Sequence, residues 1–318
     1  MSIDVIRTRG RWYVQKTDTT GVLVDSTAET TGALLTDRAA VEEAATVGRE
    51  EPLPDGDLQS PVTAPCRVVA QMTNYVSHIR DSGMDPRTVP MTFFRKTSHS
   101  LSGPVADIVK PAHVRFLDYE VEIGLVIGRD IPVGTVLTAD TIAEHVGALV
   151  VTNDVSARDL QLPKTQFYEA KSYPTFTPAG PRLVVLEPGD WKRFEQLRLT
   201  LRVNGEVRQD ALVGDDMLYK PLEALNELAR FQPLAAGDLV LTGTPGGTAL
   251  KAPAKPIELI GALLPPATKW KAFFRAQARN PRYLADGDVV EAAIRTDDGA
   301  LDLGRQRTVV RFAAEVAR

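Results

Sequence analysis

The chain has 318 residues, a formal net charge of −4, 43% hydrophobic and 25% charged residues; this is room for one large domain plus a small one, and the balance is not basic enough to suggest nucleic acid as a partner. Its single cysteine, Cys66, excludes a disulfide framework or a cysteine metal site within one chain. No apolar run reaches bilayer-spanning length, and the first twelve residues mix Asp4 and arginines into few apolar positions without a signal-peptide core, so a cytoplasmic protein is expected.

Residues 1–65 read as a small N-terminal domain and 66–318 as the main domain. In the first, 11–15 and 21–25 predict two short strands, 36–47 predicts a helix through Ala39, Val41, Ala44 and Ala45, and the Pro- and Gly-containing stretch 51–57 reads as a linker. Nothing in this part carries recognisable chemistry, so a structural or subunit-contact role is expected. Residues 67–70 predict a strand leading into Asn74–Asp81, where His78 and Asp81 stand three apart and would share a helix face. A histidine oriented by a carboxylate is a general-base pair, although H-x-x-D alone fits a surface histidine beside a helix neighbour equally. Next, 91–96 predicts a strand, after which Lys96, Ser98 and His99 are unranked pocket candidates. His113 and His145 have no acid partner at a useful spacing and read as structural or exposed.

At 118–128 the sequence alternates strictly: Tyr119, Val121, Ile123, Leu125 and Ile127 share one strand face, and Glu120 and Glu122 share the other. Two carboxylates side by side repel unless a proton or cation sits between them, so the strand is either a solvated face or half of an ion site. An apolar run at 147–153 then ends at Asp154. If the two strands are neighbours, Asp154 completes a cluster of three carboxylates. Such oxygen-only ligands suit Mg²⁺ first, then Mn²⁺ or Ca²⁺, and argue against zinc or copper. Positions left open on the ion would accept a substrate's oxygens.

Farther on, the alternation at 197–203 predicts a half-exposed antiparallel strand closed by the hairpin signal Asn204-Gly205. Residues 221–231 predict an amphipathic helix. A strand at 238–242 runs into a Gly-Pro turn that lacks the G-x-x-x-x-G-K-[ST] spacing of a phosphate-binding loop. Within 251–283, residues 257–264 are apolar, while 269–279 predicts a helix bearing Trp270, Phe273 and Phe274, suited to wall a pocket or pad a subunit contact. Strands at 286–291 and 307–312 close the chain. Many short strands, few helices and Gly/Pro turns indicate a β-rich α+β fold.

Four motifs in this order, DYEVEIG from Asp118, TNDVSARDLQ from Thr152, EAKSYPTFTPAGP from Glu169 and LTGTPGG from Leu241, resemble the fumarylacetoacetate hydrolase family from about residue 66 to the C-terminus. The resemblance implies a mixed β-roll catalytic domain, a homodimer, and a metal held by Glu120, Glu122 and Asp154. Asn74–Asp81 is similar to the family's N-Y-x-x-H-x-x-E lid, implying that His78 and Asp81 activate water; Asp81 stands where the family usually has Glu. Arg158 and Gln161 match residues of the substrate site, and a guanidinium suits a substrate carboxylate. By the same carry-over Lys171 stabilises an enolate, Thr244 bonds a substrate oxygen, and Gln166 and Tyr168 are weaker pocket candidates. The span 251–283 is an insertion relative to the family pattern. The expected activity is Mg²⁺-dependent hydrolysis of a C–C bond in a β-diketone or acylpyruvate-type 2-oxo acid, in aromatic compound catabolism. The alternatives are an oxaloacetate-type decarboxylase or tautomerase, a dienoate isomerase or hydratase, and, from another class, a non-catalytic metal-binding paralogue.

Overall fold

The structure, a computed structural model, describes residues 2–54, 56, 58–165, 167–187, 189–252 and 265–314. Eleven strands form one sheet. Its order runs from Glu51–Pro52 through Thr20–Leu23, Arg11–Gln15, Ile3–Thr8, Leu183–Val185 and Val146–Asn153 to Val121–Ile127, then Leu239–Leu241, Val68–Met72 and Thr92–Lys96, with Leu58–Gln59 joined to Ile3–Thr8. A five-stranded sheet, ordered Glu206–Leu212, Leu197–Val203, Val289–Thr296, Asp302–Phe312 and Ile108–Lys110, packs against one of its faces.

The alternation at 119–127 explains that packing. Tyr119, Val121, Ile123, Leu125 and Ile127 are wholly buried in one apolar cluster with Leu197, Leu199, Leu201 and Ile294 of the smaller sheet. Each such side chain, moved out of water, stabilises the fold by roughly 1.5–3 kcal/mol. Val126 points the other way, into a second cluster with Ala148, Leu239 and the helical Leu34, Leu35 and Val41. By the same alternation Glu120 and Glu122 lie on that second face, toward the start of the strand, where they line a cavity. In the smaller sheet, the expected half-exposed strand and hairpin are present: Leu197, Leu199, Leu201 and Val203 are buried, and Asn204 and Gly205 have φ of 51° and 82°. Two positive φ values give the turn the twist that a two-residue hairpin needs. The folding class is therefore β-rich α+β, as expected.

The first 65 residues differ in detail from the expectation. Ile3–Thr8, which the sequence did not mark as a strand, pairs with Leu183–Val185, and its Val5 enters the second apolar cluster. These residues thus extend the main sheet and share a core with the rest of the chain. The helix expected at 36–47 is present as Arg38–Thr46, and a further short helix, Thr31–Thr36, precedes it, the two separated at Asp37, whose φ and ψ of −92° and 49° are not helical. The first begins at Thr31 because the Thr30 hydroxyl accepts the Ala33 N–H, a cap that a pattern of apolar residues does not reveal.

In the 251–283 segment, Pro266–Gln277 is helical, and Trp270, Phe273 and Phe274 pack on one another, with Phe274 lying 5.9 Å from the Phe116 ring. The apolar stretch 257–264 and Gln166 lie outside the described residues.

Candidate active site

Antiparallel pairing sets the acids. Val121 lies opposite Asn153 and Glu122 opposite Thr152, so the residue after the second strand, Asp154, falls beside Glu120, where its N–H donates to the Glu120 carbonyl at 2.8 Å. Glu120, Glu122 and Asp154 each offer an oxygen within 4.8 Å of the others, and all three side chains are buried. Among the described residues this is the one cluster of its kind.

Three buried cations face it. Lys171 Nζ donates to Glu120 Oε2 and Asp154 Oδ2, both at 2.5 Å, and Lys96 Nζ donates to Asp154 Oδ1 at 2.5 Å and the Phe176 carbonyl at 2.9 Å. Arg158 donates from Nε to Asp118 Oδ2 at 2.8 Å, from Nη1 to Gln161 Oε1 at 2.7 Å and from Nη2 to Glu120 Oε1 at 2.5 Å. Asp118 also accepts the N–H groups of Ala249 and Leu250, so it ties Arg158 to the 249–250 backbone, of which Leu250 lines the cavity. Burial pushes the Glu120 carboxyl up, but Lys171 and Arg158 outweigh it and hold the group below the usual carboxylate range. For Lys171 burial opposes the charge, yet Asp154 and Glu120 prevail and keep it a cation. In Lys96 burial outweighs Asp154 and lowers the ammonium's pKa.

Glu122 is the exception. Among the described residues it has no side-chain cation; its Oε2 accepts only the Gly243 N–H, at 2.7 Å. That contact needs the glycine: Gly243 has φ of 85°, and a Cβ there would lie 2.8 Å from Asn74 Cβ. Burial first, then Asp154 and Glu120, drive the Glu122 carboxyl well above its ordinary value. A buried anion raised by two anionic neighbours is what a divalent cation relieves, and the donors are all hard oxygens. The residues therefore fit a hard divalent ion held by Glu120, Glu122 and Asp154.

The expected lid is present as the helix Val76–Asp81, but the structure does not join its two polar residues. Asp81 Oδ2 accepts the Gly247 N–H at 3.0 Å and Oδ1 accepts from Lys251 Nζ at 3.2 Å, while His78 Nδ1 is buried with no partner among the described residues. Asp81 is thus a stitch between the lid and the 242–247 turn, alongside Ser77 Oγ, which accepts the Gly246 N–H. His78 itself lines the cavity, where burial lowers its pKa, with Arg158 and Lys171 adding to the effect and Glu120 opposing it.

The cavity, about 530 Å³, brings together His78, Glu120, Glu122, Asp154, Arg158, Gln161, Lys171 and Thr244. Thr244 sits there with its hydroxyl engaged, donating to the Val121 carbonyl and accepting from Gln209 Nε2. Tyr168 is exposed and does not line the cavity; Phe167 does. His99, His113 and His145 lie outside it, bonded to Thr97, Tyr173 and Arg129 respectively. Three participants were not singled out from the sequence. Asp118 is the first letter of DYEVEIG, which was its available signal; Gln209, buried, bonds Val121 N as well as Thr244; Gln71 lines the cavity with Nε2 unpartnered.

Known proteins place this geometry in context. The family described as Fumarylacetoacetate (FAA) hydrolase C-terminal matches residues 67–311. An oxaloacetate tautomerase, mitochondrial, of Bos taurus is 35% identical over 194 residues, 59% of this chain and 58% of that protein. The chain spans about 58% of the length of the first curated relatives it matches. Among solved structures, a probable 2-hydroxyhepta-2,4-diene-1,7-dioate isomerase from Mycobacterium abscessus has a TM-score of 0.72 at 28% identity, covering 99% of this chain and 100% of its own. A fumarylacetoacetate hydrolase from psychrophilic Exiguobacterium antarcticum has a TM-score of 0.73 at 27% identity, covering 98% and 100%. With a family match across most of its length and the acidic cluster at the motif positions, the chain belongs to the fumarylacetoacetate hydrolase family.

Proposed function

We propose that this chain is a divalent-metal-dependent enzyme that moves a proton between the keto and enol forms of a 2-oxo acid. The observation that carries this is the pairing of Lys171 with Glu120 and Asp154 in a cavity where His78 lacks the Asp81 partner expected of a water-activating dyad. Mg²⁺ is the proposed ion, with Glu120, Glu122 and Asp154 as its ligands and a homodimer as the working assembly. Bound there, it would polarise the oxo and carboxylate oxygens of the substrate and acidify the adjacent C–H.

The chain's own groups then have separable tasks. Lys171, kept protonated by its two carboxylates, sets positive charge beside the oxygen on which negative charge develops. His78, kept neutral by burial, takes the proton from the carbon next to the oxo group and delivers it to the enolate oxygen, and carries it from oxygen back to carbon in the reverse direction. Arg158 holds Glu120 and Gln161 in place, so its guanidinium orients ligands as well as facing the substrate. The relatives' names include a tautomerase and an isomerase, both of which describe proton relocation. Hydrolysis of an acylpyruvate is the second reading, favoured by the likeness to the Exiguobacterium hydrolase and by the same enolate chemistry at the leaving group.

Two assays separate them: ultraviolet measurement of enol–keto exchange in oxaloacetate and phenylpyruvate, and chromatography of acylpyruvate for cleaved acids, each with Mg²⁺ and with EDTA. Tautomer exchange accelerated only with the metal, and lowered by about 10²–10⁴-fold in His78→Ala, is expected. Metal-dependent cleavage without faster tautomer exchange would replace the proposal with the hydrolase.

A further inference from the structure

Resting on the 2-oxo acid chemistry above, we infer that the substrate carries a single carboxylate, at the acidic end of the cavity, followed by an aryl or alkyl tail, and that diacids are poor substrates. The cavity's two ends differ in kind. Among the described residues its cationic lining groups are Arg158 and Lys171, both beside the acids and already bonded to Asp118, Glu120 or Asp154. The outer wall is built from Met72, Met84, Phe94, Leu162, Phe167 and Leu250. Phe94 and Phe167 meet edge to face with centroids 5.2 Å apart, and the Lys171 ammonium lies 5.3 Å over the Phe94 ring, so the aromatic wall begins where the charges end.

Polar groups among the described residues of the outer wall are neutral hydroxyls and one carboxylate, Asp85. Asp85 is held by Arg87 at 2.7 Å, and the Arg87 side chain is 87% exposed and does not line the cavity. A second substrate carboxylate would therefore leave water for a largely apolar wall beside an anion, with neutral hydroxyls and the Gln71 amide as donors but, among the described residues, no cation to offset its lost hydration. The size agrees: about 530 Å³ lies in the range of pockets for ligands of roughly 300–1,000 Å³, far more room than a four-carbon diacid fills. Burying a phenyl-sized group is worth about tenfold to a hundredfold in affinity.

The experiment uses the full chain with Mg²⁺, phenylpyruvate and oxaloacetate as probes, kcat/KM for tautomer exchange, and calorimetric Kd for each probe. Phenylpyruvate is expected to exceed oxaloacetate by at least about tenfold in both quantities. Met84→Arg and Leu162→Lys place a cation on the apolar wall, one at an exposed and one at a half-buried position, and should each narrow that ratio by about tenfold without lowering Tm. If one fails to fold, the other decides. Oxaloacetate binding as tightly as phenylpyruvate, or a ratio unmoved in a folded variant, overturns the inference. Tighter phenylpyruvate binding with no exchange of either probe would leave the inference standing and remove the proposed reaction; faster oxaloacetate exchange with tighter oxaloacetate binding would do the reverse.

Discussion

Replacing Glu122 by Gln probes the site at its electrostatic weak point. Its carboxylate lies within 4.8 Å of oxygens of both Glu120 and Asp154. At that separation each like-charge pair costs about 3.5 kcal/mol at an effective dielectric of about 20. Lys171 offsets part of this, and protonation of Glu122 in the metal-free protein relieves more, leaving a net cost on the order of 1–3 kcal/mol. A carboxamide keeps the shape and can still accept the Gly243 N–H. Glu122→Gln should therefore raise the stability of the metal-free chain by that amount. With an unfolding entropy of about 0.7 kcal/mol/K for a chain this long, Tm should rise by roughly 2–4 °C in EDTA. The same change removes one of the three proposed charged ligands, so saturating Mg²⁺, which on that proposal is worth about 2.7 kcal/mol at a hundred times Kd in the wild type, should add little. Differential scanning calorimetry with EDTA and with Mg²⁺ reads both effects. A metal-free variant less stable than wild type, or one that Mg²⁺ stabilises equally, would refute the assignment of Glu122.

Asp118→Asn should destabilise the chain by about 2–4 kcal/mol in urea unfolding, somewhat less than severing a buried ion pair outright, because Glu120 still holds Arg158. Its KM should rise with it, since the 249–250 backbone loses its anchor to Arg158; unchanged stability and KM would show that Asp118 is dispensable. Asp81→Asn should lower kcat by less than about tenfold, against about 10²–10⁴ for His78→Ala, because Asp81 bonds Gly247 and Lys251 and not the imidazole. Equal losses in the two variants would indicate that the pair works as a dyad after all. Replacing Trp270, Phe273 and Phe274 together by Ser should lower Tm, since the helix covers Phe116 through Phe274, and, with that face as a contact of the proposed homodimer, should move its elution in size-exclusion chromatography toward the monomer. An unchanged Tm would mean that the helix contributes no packing.

Legibility followed the range over which each feature is decided. The alternation at 119–127 was readable because strand periodicity and burial on one face are local, and the five apolar residues enter one cluster. The joining of Asp154 to the two glutamates required only that neighbouring strands pair antiparallel, which a thirty-residue separation permits. Lys96 could not be ranked: it meets Asp154 across 58 residues, and a lysine becomes a buried partner only when the fold surrounds it with anions. Thr31–Thr36 was missed for the opposite reason, since its start depends on one hydroxyl and not on a pattern. The motif resemblance located His78 and Asp81 correctly on one short helix, but spacing says only that two side chains share a face. Which partner a carboxylate takes is a competition among donors, and here a backbone N–H and a lysine brought in by the 247–251 loop prevail.

The distribution of charge makes the same point at the level of the whole site. Four buried carboxylates, Asp118, Glu120, Glu122 and Asp154, face three buried cations, Lys96, Arg158 and Lys171. Arg158 and Lys171 each bridge two carboxylates and Lys96 neutralises one, so every acid but Glu122 receives a direct cationic hydrogen bond. Had a lysine been placed on Glu122 as well, no carboxylate of the cluster would be left without a cationic hydrogen bond. Had the lysines been absent, mutual repulsion of the acids would oppose folding of the metal-free chain. The arrangement stabilises the acids enough to fold and leaves the deficit at one carboxylate facing the cavity, which is where the proposed ion would meet both its protein ligands and the oxygens of a substrate.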